Sequence, residues 1–368
     1  MSDLASLDAL RMRQALALAE QAVGRSDPNP RVGCVIGTAD GQVLGTGSTQ
    51  EAGGPHAEVM ALRAAAQAGA ALRGATAWVT LEPCAHHGRT PPCSQALLQA
   101  GIARVVVGAV DPFPQVAGAG IAGLRQAGVQ VDLAGDEVAQ AVRELNIGFF
   151  SRIERGRPWV RVKVAASLDG RTALPNGVSR WITGAAARAD GHAWRKRAGA
   201  VLTGVGTVLA DDPRLDVREV PTARQPMRIV LDSSLRMPAA ARILQPPGQV
   251  LVATLPGVTP PPGWRADIEW LTLPAGPGGL DLAALLETLA RQHPLNELHV
   301  EAGATLTGAF LRSGLVDELL LYLAPRLLGP GRPLADWPAL QALDGSVDLR
   351  FHDVTQVGED LRIRARRR

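Results

Sequence analysis

With 368 residues the chain is too long for one ordinary domain and calls for two; its formal net charge is only +3, part of it in the Arg366-Arg367-Arg368 tail. That mild charge, with one tyrosine and five phenylalanines, argues against a nucleic-acid partner and the aromatic platform it would stack on. Three cysteines, Cys34, Cys84 and Cys93, are too few for a disulfide framework, and no apolar run is long enough to cross a membrane. Residues 1–9 carry acids without the basic cluster of a signal peptide, so a cytoplasmic protein is expected.

The first half alternates helix and strand. Residues 7–22 carry apolar side chains at helical spacing. Residues 32–36 predict a strand, followed by an Asp40-Gly41 turn and a second short strand over 42–46. Residues 56–70 are helical in pattern and stop near Gly69. Residues 76–81 read as a buried strand that delivers Glu82-Pro83-Cys84 at its C-terminal end. Helices are expected over 95–99, 121–126 and 137–150, and strands over 102–110 and 129–131. This alternation implies an α/β fold with a parallel-rich, three-layer sheet, whose sites lie outside the carboxyl ends of strands. Residues 151–158, polar and closed by Pro158, read as a linker between domains 1–150 and 151–368. After it the alternation restarts. Strands are expected over 159–165, 200–203, 228–231, 250–253, 298–300, 316–323 and 349–364, and helices over 282–291 and 305–312. Stretches 245–248 and 256–263 are Pro- and Gly-rich loops.

Two short runs in the first half carry chemistry: His56-Ala57-Glu58, and Pro83-Cys84 through Pro91-Pro92-Cys93. They supply one imidazole, two thiols and a carboxylate that is not a ligand. Three N/S ligands with one open position make a catalytic zinc site. His-x-Glu followed by Pro-Cys-x-x-Cys is the signature of zinc deaminases acting on bases; here eight residues separate the cysteines instead of two. Side chains in a helix's first turn lean toward its N-terminus, so His56 and Glu58 can both reach past the end of a helix opening there. Pro91 and Pro92 fit a helix start, which puts Cys93 at a positive dipole end that favours thiolate. His56, Cys84 and Cys93 are the expected ligands, and Glu58 the acid–base group. A structural zinc site would need a fourth ligand, which only His86 or His87 could provide; both read better as loop or substrate-side residues. Cys34 reads as core filler. In the second half, the turn Thr203-Gly204-Val205-Gly206-Thr207 and the strand-to-helix turn Val300-Glu301-Ala302-Gly303 are candidate phosphate cradles, and arginines such as Arg195 and Arg218 suit phosphate. Pattern alone stops at an α/β domain that could bind a nucleotide.

The long cysteine loop, Cys84-Ala85-His86-His87-Gly88-Arg89-Thr90-Pro91-Pro92-Cys93, and Pro28-Asn29-Pro30-Arg31-Val32-Gly33 resemble the bifunctional deaminase/reductases of bacterial riboflavin biosynthesis. Residues 162–171, 179–183, 204–213 and 300–303 are similar to the reductase half of that family, so the resemblance covers nearly the whole chain. It implies a cytidine-deaminase-like αβα first domain and a dihydrofolate-reductase-like α/β second domain. It implies zinc and NADPH as cofactors and small pyrimidine nucleotides as substrates. A homo-oligomer that meets neither nucleic acid nor membrane is expected. Asn29 would touch the pyrimidine ring. Ala165, Trp181, Thr207, Asp211, Ser233 or Ser234, and Gly303 would meet NADPH. Ser179, Arg195, Leu215, Arg218 and Glu301 would meet the substrate and its phosphate, and Lys163 would lie beside the hydride-transfer site. Ala85 stands where serine is commoner, and Glu301-Ala302-Gly303 departs from the usual Glu-Gly-Gly. The rival readings are a single-activity nucleoside or tRNA deaminase, against which the long cysteine loop speaks, and a zinc-dependent interaction protein, which has no use for Glu58.

Overall fold

The computed structural model describes residues 3–85, 92–114, 116–260 and 262–368. The chain divides into two compact units, Met1–Arg155 and Gly156–Arg368.

The first unit is built on a five-stranded sheet in the order Val43–Ser48, Gly33–Gly37, Thr76–Val79, Arg104–Val107, Gln130–Leu133. The last three strands are parallel, but Gly33–Gly37 runs antiparallel to both its neighbours, so the sheet is mixed. The short Asp40-Gly41 turn explains one of these pairings, because a tight hairpin can only join antiparallel strands. Cys34, Ile36, Ala77, Val79, Val105 and Val107 fill one core, as expected for Cys34. Val35, Trp78 and Val106, on the opposite face, meet Met12 and Ala15 of the helix Asp3–Glu20. Burial on both faces is why these strands read as continuous apolar runs. The helix Ala57–Gln67 lies close on the strand Val43–Ser48: a Cβ at Gly47 would sit 2.3 Å from the Ala57 carbonyl oxygen. That close approach fixes where the helix begins, and hence where His56 and Glu58 stand.

The helix expected over 137–150 is two helices, Asp136–Leu145 and Ile147–Arg155. Buried Asn146 forms the break; its Oδ1 accepts from the Arg31 amide at 2.7 Å and its Nδ2 donates to the Arg31 carbonyl at 3.0 Å. The stretch expected to be a linker is therefore helical up to Arg155, and the division between units falls at Gly156, with φ +68°. Phe149 and Phe150 are buried, with Arg152 and Arg143 over their rings at 5.6 and 4.1 Å, so the charged segment stays on the core.

The second unit carries a nine-stranded sheet in the order Ile268–Thr272, Val250–Thr254, Met227–Leu231, Ala200–Gly204, Glu297–Glu301, Trp159–Ser167, Glu318–Ala324, Asp360–Arg367, Leu349–Val357. The first seven are parallel, and Asp360–Arg367 runs antiparallel to both its neighbours, Glu318–Ala324 and Leu349–Val357. The single strand expected over 349–364 is thus a hairpin, turning at Gly358 with φ +64°. The glycine-rich turn at Gly204 is no open loop: Gly204 caps the helix Val205–Asp211 directly. The sequence reading missed that helix, the strand Ile268–Thr272 and the helix Ala185–Arg197. Ala185–Arg197 turns Trp194, Arg195 and Arg197 toward the sheet in place of an apolar stripe, so its period carried no hydrophobic signal.

Candidate active sites

His56 caps the helix Ala57–Gln67, Cys84 follows the strand Thr76–Val79, and Cys93 opens the helix Cys93–Gln99. Their donor atoms converge within 4.8 Å of one another. His56 Nδ1 lies 3.7 Å from Cys84 Sγ and 3.3 Å from Cys93 Sγ. Arms of about 2.3 Å to sulfur and about 2.0 Å to nitrogen make a tetrahedron with edges of roughly 3.5–3.8 Å, so the three donors fit zinc, and among the described residues no fourth ligand joins them. His86 and His87 lie outside the described residues.

Cys84 is lowered to about 4 because the Cys93 thiol donates to it; His56 and the Cys93 backbone N–H, 3.3 Å away, add to the effect. Cys93 is raised by the same contact and by burial, and His56 is raised chiefly by Cys84. The helix start thus gives its amide to the sulfur of Cys84, where the sequence suggested a benefit to Cys93. Glu58 is 3% exposed, and burial pushes it up to about 7 against the opposing pull of His56. Asn29 is half-buried in the turn whose amide bonds to the Ser26 carbonyl, just before the strand Gly33–Gly37.

Sequence reasoning missed Glu82. Its buried carboxylate accepts four backbone N–H groups, from Gly118 (2.9 Å), Asp111 (3.3 Å), Gly120 (2.9 Å) and Ile121 (3.1 Å). It therefore caps the helix Ala119–Gln126 and ties the zinc-ligand loop to residues 111–121. A carboxylate two positions ahead of Cys84 was the available signal; its partners, all more than 28 residues away, were not visible. Glu82→Gln turns one acceptor into a donor and should lower thermal stability by about 2 kcal/mol or more. A chelator should also strip its zinc faster than from wild type, as read by a colorimetric zinc dye.

In the second unit, alternation places Glu297, His299 and Glu301 on one face of their strand. The neighbouring strand matches them in register, His299 to Arg161 and Glu301 to Lys163. Arg195 reaches Glu301 from the helix above with two bonds, one of 2.9 Å from Nη2 to Oε2, and its Nη1 donates to the Asp216 carbonyl at 3.0 Å. Lys163 Nζ stands 3.8 Å from Glu301 Oε2. Burial lowers the Lys163 amine, and Arg195 and Lys163 hold Glu301 well below its usual value against its own burial. Leu215 is buried with φ +49°, and Arg218, largely exposed, bonds Asp216 at 2.8 Å. Another residue unseen in sequence, His192, accepts the Arg218 amide at 3.4 Å and is driven down to about 4, first by burial and then by Arg195 and Arg218.

The expected cofactor residues follow the carboxyl ends of adjacent parallel strands: Thr207 after Ala200–Gly204, Ser233 and Ser234 after Met227–Leu231, and Gly303 after Glu297–Glu301. Ala165 lies near the end of Trp159–Ser167. Gly303 N–H donates to Thr207 Oγ1 at 3.2 Å, and among the described residues, its chain neighbours aside, that oxygen alone comes within 4 Å of a Cβ position at Gly303. This open edge beside a helix start suits a dinucleotide. Trp181 is 61% exposed with the Arg188 guanidinium 4.5 Å from its ring centre, and Arg180 beside it bonds the Asp211 carbonyl at 2.8 Å. Ser179 is half-buried, and the structure shows no bond joining it to Arg195 or Glu301.

Comparison with known proteins supports both halves. Residues 6–109 match the cytidine and deoxycytidylate deaminase zinc-binding region, and residues 158–363, more than half of the chain, match the RibD C-terminal domain. The riboflavin biosynthesis protein RibD of Escherichia coli (strain K12) is 45% identical, over 96% of this chain and 98% of that protein. The chain belongs to the RibD family. The solved structure of Acinetobacter baumannii RibD is 42% identical, with a TM-score of 0.87 over 99% of both chains. That of a diaminohydroxyphosphoribosylaminopyrimidine deaminase/5-amino-6-(5-phosphoribosylamino)uracil reductase from Thermotoga maritima is 31% identical, with a TM-score of 0.89 over 99% of both. A RibD chain thus has a deaminase-like first unit and a reductase second unit, as the motifs implied.

Proposed function

We propose that the chain catalyses two successive steps of riboflavin biosynthesis. Zinc-dependent deamination of 2,5-diamino-6-ribosylamino-4(3H)-pyrimidinone 5′-phosphate takes place in the first unit. NADPH-dependent reduction of 5-amino-6-(5-phosphoribosylamino)uracil, ribosyl to ribityl, follows in the second. The observation that carries this reading is the convergence of His56, Cys84 and Cys93 beside buried Glu58, in a chain similar to RibD proteins over nearly its whole length.

His56, Cys84 and Cys93 hold the zinc. When bound, zinc supplies a water that loses its proton near neutral pH, at about 7 instead of about 15.7. Glu58 takes that proton and later gives it to the departing amine; burial has already brought it to the range where a carboxyl can do both. Oxygen bonds to the ring carbon, the C–N bond breaks, and ammonia leaves. Asn29 is assigned to orient the ring.

In the second unit, Ala165, Trp181, Thr207, Asp211, Ser233, Ser234 and Gly303 would hold NADPH, which when bound would supply the hydride for C1′ of the opened sugar. The chain's task is to orient the two reactants. Glu301, fixed by Arg195, and Lys163 face the sugar; Lys163 holds or moves the proton that opening requires. Ser179, Leu215 and Arg218 complete the substrate site.

Arg195 and Arg218 then part company. Arg195 is committed to Glu301, whereas Arg218 keeps an exposed guanidinium for the 5′-phosphate. Arg218→Ala should raise KM for the phosphorylated substrate by about 10-fold or more with kcat nearly unchanged, the mark of lost uniform binding. It should be indistinguishable from wild type on the dephosphorylated compound. Arg195→Ala should lower kcat. Equal discrimination by Arg218→Ala against both compounds would remove it from the phosphate site.

The two-step reading is tested by following ammonia and NADPH separately. Ammonia release from the diaminopyrimidine should not need NADPH, and NADPH oxidation should need the deaminated compound. NADPH oxidation with the diamino substrate under conditions that block deamination would reverse the proposed order. We extend the proposal to a homo-oligomer acting in the cytoplasm. Phe351, 73% exposed on the edge strand Leu349–Val357, supports association, and sedimentation of the purified chain tests it.

A further inference from the structure

His299 sits where a core strand should carry an apolar side chain. It is fully buried, yet neither ring nitrogen has a well-formed hydrogen bond among the described residues. Burying an imidazole without partners costs stability, and a leucine of similar volume would fit the interior at no such cost. Departures of this kind cluster at functional sites.

The surroundings show what the ring serves. His299 shares a strand face with Glu301, two residues on, and its Nε2 lies 3.4 Å from Glu301 Oε1. Glu301 Oε2 faces Lys163 at 3.8 Å and Arg195 Nη2 at 2.9 Å. Oε1 is bonded by Arg195 Nε, and His299 approaches that same oxygen from within the sheet. On the other side, the strand register sets His299 against buried Arg161, which is committed to Glu297 (2.8 Å) and Glu318 (2.6 Å). A second cation between Arg161 and Arg195 is unfavourable. Burial, with smaller contributions from those two arginines, keeps the imidazole below its usual value and thus neutral, against the pull of Glu301. A neutral ring in the Nε2–H tautomer is a donor that brings no charge.

We propose that His299 is a positioning residue of the reductase, donating from Nε2 to Glu301 Oε1 and fixing the carboxylate that Arg195 and Lys163 hold from the other side. In the free protein the two atoms are 3.4 Å apart without a formed hydrogen bond; catalytic hydrogen bonds commonly tighten when substrate binds. His299 does not touch substrate and acts through Glu301. This inference rests on the assignment of Glu301 to the reductase site.

The test measures steady-state reduction of the deaminated ribosylaminouracil phosphate by full-length protein, with wild type as the control for the reductase reading itself. His299→Leu should lower kcat about 10-fold, equivalent to about 1.4 kcal/mol and the size of one lost hydrogen bond, with KM for NADPH unchanged and thermal midpoint equal or higher. His299→Gln, which can offer an N–H from a similar place, should recover most of that loss. In a Glu301→Gln background, His299→Leu should cost less than about 2-fold, because residues acting through one contact are not additive. If the leucine variant does not fold, His299→Phe keeps a flat ring without a donor and takes its place. Wild-type kcat in the donor-less variant, equal losses in His299→Leu and His299→Gln, or an undiminished loss in the Glu301→Gln background would each overturn the proposal. An inactive wild type would instead refute the reductase reading, and with it the role of His299.

Discussion

Glu58→Gln is expected to keep its zinc and lose deamination by about 10²–10⁴-fold or more, since one carboxyl serves several proton transfers. The glutamine is nearly the same size, so the buried pocket and the three ligands beside it are preserved, but it can neither accept nor return a proton. Wild-type Glu58 is suited to both because burial has raised it to about 7. Reduction of the already deaminated compound should continue at the wild-type rate, because Glu58 and Glu301 belong to separate units. Ammonia release assayed alongside NADPH oxidation checks both halves of the expectation. Near-normal ammonia release from Glu58→Gln would end the zinc-deaminase mechanism.

Cys93→Ser should be as severe by a different route. Wild-type protein should hold about one zinc per chain on three ligands. Cys93 Sγ stands 3.3 Å from His56 Nδ1 and its amide supports Cys84, so a serine hydroxyl removes a soft ligand and leaves the backbone bond in place. Zinc content and deaminase activity should fall together, while NADPH oxidation with the deaminated substrate persists. Metal analysis of the purified variant decides. Full zinc retention in Cys93→Ser, with loss on changing His86 or His87, would show that the ligand set is different.

How much of this was legible in the sequence depends on where each signal sits. The grouping of His56, Cys84 and Cys93 was legible because the His-x-Glu and Pro-Cys runs fall at the ends of patterned elements, and the structure brings these three donor atoms within 4.8 Å of one another. Glu82 was not, because its meaning lies in four amides supplied by residues 111–121. In the second unit, Val160, Val162 and Val164 announce one apolar face of the strand Trp159–Ser167. Arg161 and Lys163 lie on the other face, and alternation alone does not distinguish such charges from a solvated face, although Arg161 is 1% exposed. The helix that covers that face, Ala185–Arg197, has no apolar stripe to reveal it for the same reason: both surfaces are joined by charge pairs such as Arg195–Glu301 and Arg197–Glu297. The expectation that Lys163, Arg195 and Glu301 belong to a reductase site therefore came through resemblance to a family, not through periodicity. The boundary near residue 150 shifted to Arg155 because a charged, linker-like segment is held as helix by buried Phe149 and Phe150.

On the proposed function, one chain performs two chemistries in a fixed order. The most direct measurement incubates purified protein with 2,5-diamino-6-ribosylamino-4(3H)-pyrimidinone 5′-phosphate, with and without NADPH, and identifies products by mass. Without NADPH the substrate should exchange one amino group for oxygen and stop. With NADPH it should go on to the ribityl compound, with one NADPH consumed for each ammonia released. A ribityl product that still carries both amino groups, or no conversion by zinc-loaded protein, would contradict the account.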